Sequence, residues 1–306
     1  MPIGIDAVKE KETDWYKLRS LYKEFRSDTT LLQEGNAPKA MYVLISGMLE
    51  VYKGDKQLAT IQSRGEYIGE ISLLLDIPHS ATVKTITDSI LIEISPGTFL
   101  SFLTHTPEVA ISLAKKIAER LVVLNKMYAN AIRKMLEKKR SKPKIEALAE
   151  LAPDSGGINL EKLRPYYRKF PKDTVIINEG DKPKAMYIIV EGELEIVKEQ
   201  QVIAIESQPG YYLGEVSILR NANHNATVRT RVPSVLIEIA AIKAFSFFKH
   251  SPEIAISVSK KLAQRILIIN GGYIDILEPA IEYEKSLEDI CSSAEKRLHE
   301  LGFNVD

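Results

Sequence analysis

Two stretches of this chain gather residue types that can hold an anion and a sugar together. Gly69-Glu70-Ile71-Ser72 is followed by His79-Ser80-Ala81-Thr82, and the arrangement returns as Gly214-Glu215-Val216-Ser217 followed by His224-Asn225-Ala226-Thr227. A glycine-turned segment leaves backbone N–H groups unpaired, and those near Ile71-Ser72 and Ser80-Ala81 can cradle a phosphate. A carboxyl in the same corner tolerates burial only where donors such as sugar hydroxyls, or backbone N–H groups, satisfy it. A basic side chain and a threonine hydroxyl complete each set. This is chemistry of binding. The chain shows no Ser/His/Asp arrangement, P-loop or dinucleotide fingerprint that would support catalysis, so it reads as a non-enzyme.

The remaining reactive residues carry less. His105 and His250 stand just before Thr106-Pro107 and Ser251-Pro252, where a loop or capping role is expected rather than metal binding, and His299 stands alone in a polar segment. The single cysteine, Cys291, excludes an internal disulfide and any Cys-based zinc cluster. No metal or cofactor is expected.

The doubled set belongs to a doubled chain. Glu34-Gly35-Asn36-Ala37-Pro38-Lys39-Ala40-Met41-Tyr42 reappears 145 residues later as Glu179-Gly180-Asp181-Lys182-Pro183-Lys184-Ala185-Met186-Tyr187, and the offset holds without a gap from about Tyr16 to Leu121. A repeat of that length is domain-sized, so each copy should bury its own core. Each opens with apolar residues at helical spacing: Trp15, Leu18, Leu21, Tyr22 and Phe25, then Leu160, Leu163, Tyr167 and Phe170. From Thr29 to Ile94, and from Thr174 to Ile239, short β-rich runs alternate with glycine (in the first copy 40–45, 49–52, 57–61, 82–85 and 90–94), the cadence of a sandwich or barrel. Gly35/Gly180, Gly47/Gly192, Gly65/Gly210 and Gly69/Gly214 fall at equivalent points and predict tight corners. Gly54-Asp55 predicts a two-residue hairpin, and Glu199-Gln200 in its place predicts a differently built turn.

A helix follows each barrel, with proline at its first position and Thr106 or Ser251 placed to cap it. Ala114, Ile117, Leu121, Leu124, Tyr128, Ala131 and Met135 form a stripe over about three heptads. Its first half can pack on its own barrel, and beyond Tyr128 a partner is expected, a homodimer through the long helices among the options. The expected organisation is a first domain over 1–140, a linker over 141–158, a second domain over 159–277 and a C-terminal helix over 278–306. The basic run from Lys138 to Lys144 reads as solvated surface, Gly271-Gly272 interrupts the second long helix, and the helix after Pro279 presents Leu287, Ile290, Ala294 and Leu298 for docking. With 41 basic and 41 acidic residues the chain has no net field to draw it to DNA or anionic lipid, and it lacks an apolar signal core and a membrane-length run. A cytoplasmic protein is the simplest expectation.

At the two Gly-Glu stretches the chain resembles the cyclic nucleotide-binding domain family, whose phosphate-binding cassette reads Gly-Glu-(Leu/Ile)-(Ala/Ser)-Leu, then five or six residues, then Arg-(Ala/Ser)-(Ala/Val)-Thr. The resemblance covers nearly all of residues 16–139 and 160–270. It implies two eight-stranded β-jelly-roll (double-stranded β-helix) barrels with flanking helices, a mainly β fold with α elements. It further implies that Glu70 and Glu215 accept from a ribose 2′-hydroxyl, that the following amides face a cyclic phosphate, and that Thr82 and Thr227 lie beside it. Both copies depart from the pattern at one place: His79 and His224 stand where the family has arginine. Losing that charged fork costs about 1.5–3 kcal/mol, or about one to two decades of affinity.

Three readings of the histidines stay open: weaker phosphate ligands, a site tuned to a different anionic or nucleotide ligand, or an empty vestige. If phosphate binding needs imidazolium, affinity should strengthen as pH falls from about 8 to about 6. The chain shows neither a helix-turn-helix pattern after the second barrel nor a kinase-docking segment before the first, so direct DNA binding is not expected. The leading expectation is a tandem sensor of cyclic AMP or cyclic GMP that signals to an unknown protein partner. The alternative is a non-catalytic scaffold with degenerate pockets.

Overall fold

The structure, a computed structural model, describes residues 13–138 and 159–267, with side chains to 127 in the first segment. The connection over 139–158, Gly271-Gly272 and the helix expected after Pro279 lie outside the described residues. In the first copy a 3-10 helix (Trp15–Leu21) leads into β1 (Tyr22–Phe25), β2 (Thr30–Leu32), β3 (Met41–Ser46), β4 (Leu49–Lys53), β5 (Lys56–Ile61) and β6 (Tyr67–Ile68). The short helix α1 (Glu70–Leu75), β7 (Thr82–Thr85), β8 (Ser89–Ile94), α2 (Pro96–His105) and α3 (Pro107–Lys138) follow. The second copy repeats the order: a 3-10 helix (Leu160–Tyr166), β9 (Tyr167–Phe170), β10 (Val175–Ile177), β11 (Ala185–Glu191), β12 (Leu194–Lys198), β13 (Gln201–Glu206) and β14 (Tyr212–Leu213). It continues through α4 (Glu215–Arg220), β15 (Thr227–Thr230), β16 (Ser234–Ala240), α5 (Ala241–His250) and α6 (residues 252–267).

The strands of each copy form two antiparallel four-stranded sheets, ordered β1-β8-β3-β6 and β2-β7-β4-β5 in the first copy. The second gives β9-β16-β11-β14 and β10-β15-β12-β13, the same weave. Sequence neighbours are thus split between opposing sheets, which is the jelly-roll solution to closing a barrel from short strands. Tyr42, Leu44, Leu49, Ile68, Val83 and Leu91 fill the space between the sheets, and Tyr187, Ile189, Leu194, Leu213, Val228 and Leu236 do so in the second copy. β3 is apolar on both faces, and Met41 and Val43 are as buried as their inward neighbours. The helices after the barrel bury Phe99, Leu103, Val109, Leu113 and Ile117, each fully buried apolar side chain contributing about 1.5–3 kcal/mol.

The opening helical pattern runs too far in the sequence reading. Tyr22 and Phe25 are strand residues paired with Ile92 and Ser89 of β8. Their spacing fits a helix, but the β8 edge offers hydrogen bonds and places the Phe25 ring edge-on to Tyr42 at 5.8 Å, so tertiary pairing overrides the local period. All four glycine pairs take positive φ as expected. The hairpins differ as expected too: in the first only Gly54 has positive φ, whereas Glu199 and Gln200 both do.

One paired device left no legible trace in the sequence. Thr85 Oγ1 accepts from Thr29 N (2.8 Å) and donates to Arg26 O (2.6 Å), while Thr230 Oγ1 accepts from Thr174 N (2.9 Å) and donates to Pro171 O (2.6 Å). These buried hydroxyls hold the β1–β2 and β9–β10 turns, where Asp28 and Asp173 sit at positive φ.

The stripe on α3 divides as its two readings anticipate. Ala114, Ile117 and Leu121 are buried, Leu124 is half-buried, and Val123 and Met127 are exposed; the side chains from Tyr128 on lie outside the described residues. Thr106 closes α2 as well as opening α3: its hydroxyl donates back to Phe102 O (2.6 Å), and its carbonyl accepts from Val109 and Ala110. His105 and His250 bond through Nδ1 to Ser101 O and Ser246 O, both at 2.7 Å, one helical turn back. Both serve helix ends. No described helix is long and apolar enough to cross a membrane.

Candidate functional site

Each candidate site begins where β6 or β14 must turn into a helix at once. Gly69 takes φ +79° and Gly214 φ +80°, the left-handed conformation that a side chain resists. Space forbids a side chain as well: a Cβ on Gly69 would lie 2.8 Å from Leu32 Cδ1 and 3.2 Å from Ala40 O, and one on Gly214 3.2 Å from Ala185 O. The turn delivers Glu70 and Glu215 as the first residues of α1 and α4, each almost wholly buried. Ile71 and Val216 are half-buried and Ser72 and Ser217 buried. The serine hydroxyls donate to Pro78 O (3.4 Å) and Asn223 O (3.5 Å), drawing the following loop under the helix. Both helices stop after six residues at a second left-handed residue, Asp76 or Asn221.

The loop then brings the histidine back beside the glycine. His79 Cε1 lies 3.4 Å from the position of a Gly69 Cβ, and His224 Cε1 3.2 Å from that of Gly214. Both imidazoles are buried, and His79 Nε2 has no hydrogen-bond partner. Their backbones are clamped. Gly35 N donates to His79 O (2.8 Å) and His79 N to Asn36 O (2.9 Å); Gly180 N donates to His224 O (2.8 Å) and His224 N to Asp181 O (2.9 Å). The repeated Glu-Gly corner, the strongest identity between the copies, therefore holds the histidine in place, a role the sequence reading did not assign to it.

The same corner engages the threonines. Thr82 Oγ1 accepts from Glu34 N and Gln33 Nε2, both at 3.1 Å, and Thr227 Oγ1 accepts from Glu179 N (3.0 Å). With both lone pairs used, Thr82 retains only its hydroxyl hydrogen for a guest. Glu34 and Glu179 in turn accept from Gly54 N (2.8 Å) and Glu199 N (3.3 Å), linking the corner to the β4–β5 and β12–β13 hairpins. Ser80 and Asn225 are exposed, and Ala81 and Ala226 half-buried, at the rim. All sixteen sequence-derived residues thus lie on one turn–helix–loop unit per barrel.

Burial pushes the His79 imidazole below the ordinary histidine pKa. It does the same to His224, against the opposing pull of Asp181 and Glu215. The folded barrels therefore bind fewer protons than the unfolded chain once pH drops below about 6.5, so stability is complete above that pH and is lost as pH falls through it. Urea unfolding should show a lower midpoint at pH 5.5 than at pH 7.5, with a smaller difference in the His79→Gln, His224→Gln variant. An undiminished difference in that variant would show the histidines to be uninvolved.

Comparison with known proteins agrees with this geometry. The cyclic nucleotide-binding domain model matches residues 22–106 and 167–251, together more than half of the chain. The chain is similar to the regulatory subunit of cAMP-dependent protein kinase from Mucor circinelloides f. lusitanicus, 25% identical over 205 residues that span 65% of this chain and 41% of that protein. It is similar to the type II regulatory subunit from Drosophila melanogaster, 25% identical over 218 residues, 70% of this chain and 51% of that protein. The chain thus spans about half or less of the length of these relatives. Among solved structures, Thermus thermophilus catabolite activator protein gives a TM-score of 0.34 at 18% identity, covering 52% of this chain and 72% of that one. A doubled match over the very segments that build both barrels and both cassettes settles the family: the chain belongs to the cyclic nucleotide-binding domain family and carries that domain twice.

Proposed function

We propose that this chain is a non-catalytic, ligand-sensing regulatory protein whose two cassettes each capture a purine ribose ligand, cyclic AMP and cyclic GMP being the first candidates. The observation that supports this is the doubled cassette, with a buried carboxyl beside a positive-φ glycine and a buried imidazole facing it from the loop. Glu70 and Glu215 accept from ribose hydroxyls, and the amides of Ile71, Ser72, Val216 and Ser217 face the group attached to the sugar. Thr82 and Thr227 border it. His79 and His224 take the place of the family's arginine. The reading treats residues 1–140 and 159–277 as the two sensing domains, 141–158 as their linker and 278–306 as a docking helix.

Signalling follows from population shift. A ligand that prefers one placement of the helices after each cassette moves whatever those helices touch. The partner is a protein, with a kinase catalytic subunit the first to test, since the relatives are named as kinase regulatory subunits. A second reading, assembly through α3, draws on Val123 and Met127, which are 56% and 48% exposed on that helix. It makes the chain a homodimer or scaffold.

Equilibrium unfolding with added purine ligands tests the sensor. A ligand at about a hundred times its dissociation constant should raise stability by about 2.7 kcal/mol. No shift with any purine nucleotide or nucleoside would leave the assembly reading in possession, and sedimentation would then report the oligomer.

A further inference from the structure

The cassettes retain the parts that hold a sugar and lack the part that holds a charge. Residues 69–82 contain no lysine or arginine, and residues 214–227 contain only Arg220, exposed at the end of α4. The imidazoles in the arginine position are buried, and their depressed pKa leaves them uncharged at neutral pH. Each stands on the same unit as a buried glutamate, and in the second copy the carboxylate of Asp181 also acts on His224. Helices of six residues add little macrodipole to offset these acidic groups. A guest bearing a full negative charge would give up its hydration to meet carboxyls and a neutral ring. A hydroxyl-rich guest would meet acceptors, together with one unpartnered nitrogen at His79 Nε2.

Resting on the purine-ribose reading above, we infer that each cassette selects an uncharged ribonucleoside over the corresponding cyclic 3′,5′-monophosphate, with Glu70 or Glu215 accepting from the sugar hydroxyls and, in the first copy, His79 Nε2 pairing with the hydroxyl that the phosphate would otherwise occupy. A neutral imidazole suits that task, because it presents one nitrogen as acceptor or donor according to its tautomer. Arginine would instead leave a charged fork unmatched beside a neutral sugar.

Isothermal titration of the full chain at pH 7.5 with adenosine, guanosine and inosine, each beside its cyclic monophosphate, tests this. At least one nucleoside should bind at least about tenfold more tightly than its own cyclic phosphate, and the His79→Arg, His224→Arg variant should reverse the order. Should the cyclic phosphate bind the unaltered chain as tightly as its nucleoside, the inference fails while the sensor reading survives. Should neither class bind, both fail. The unaltered chain alone decides the matter if the arginine variant does not fold.

Discussion

Alanine at Gly47, or at Gly192 in the second copy, is expected to destabilise its barrel by about 3–5 kcal/mol, a large share of an ordinary domain's stability. Both glycines follow the strand that opens the core, at φ +105° and +118°. A Cβ there would lie 2.1 Å from the Oγ of Ser89 or Ser234 and 2.8 Å from that residue's Cα. The hydroxyl could rotate away, at the loss of its bond to Thr87 O or Val232 O (2.8 Å each). The Cα cannot, since Ser89 is paired with Phe25 and Ser234 with Phe170. Backbone strain and overpacking therefore add. Urea unfolding followed by circular dichroism checks the effect, and a loss below about 1 kcal/mol would show that the turn relaxes. In a double-mutant cycle, Gly47→Ala with Ser89→Gly should recover the steric part and leave the conformational part.

Removal of the two buried carboxyls is the largest functional change expected. Glu70→Ala with Glu215→Ala should weaken the binding of any ribose ligand by about 1.5–3 kcal/mol per site, about one to two decades, because each carboxyl supplies the acceptor for sugar hydroxyls. Ligand-induced stabilisation would then disappear at concentrations that saturate the unaltered chain. Glu70→Gln with Glu215→Gln keeps the shape and one acceptor oxygen, so it should retain part of the affinity. Calorimetry on the folded variants separates this from a stability defect. Unchanged affinity in the alanine pair would place the ligand elsewhere.

The two predictions rest on glycines and glutamates that differ in how far the chain alone revealed them. Gly47 and Gly69 stand out in the repeat, and their positive φ was foreseeable because corners between short strands need it. That a Cβ on one would strike Ser89, and on the other Leu32, follows only from strands brought together across about forty residues of chain. Glu70 was legible as a binding carboxyl by its neighbours, whereas its near-complete burial required the barrel around it. The Glu34-Gly35 corner was the most visible repeat in the chain, yet its work, clamping His79 and feeding Thr82, is carried by long-range hydrogen bonds that no local pattern encodes.

The chain by itself determined the doubling, the strand-rich cadence, most strand positions, the prolines that open the long helices, and the sixteen residues of the two cassettes. These are local properties: side-chain alternation, backbone freedom at glycine, and identities at a fixed offset. Tertiary structure alone decided that Tyr22 and Phe25 leave a helical spacing to pair with β8, that two threonines lock the turns before β2 and β10, and that the histidines are buried. Desolvation, and with it the charge of those imidazoles at neutral pH, depends on how atoms distant in the chain crowd one another. Spacing along a sequence does not contain that quantity.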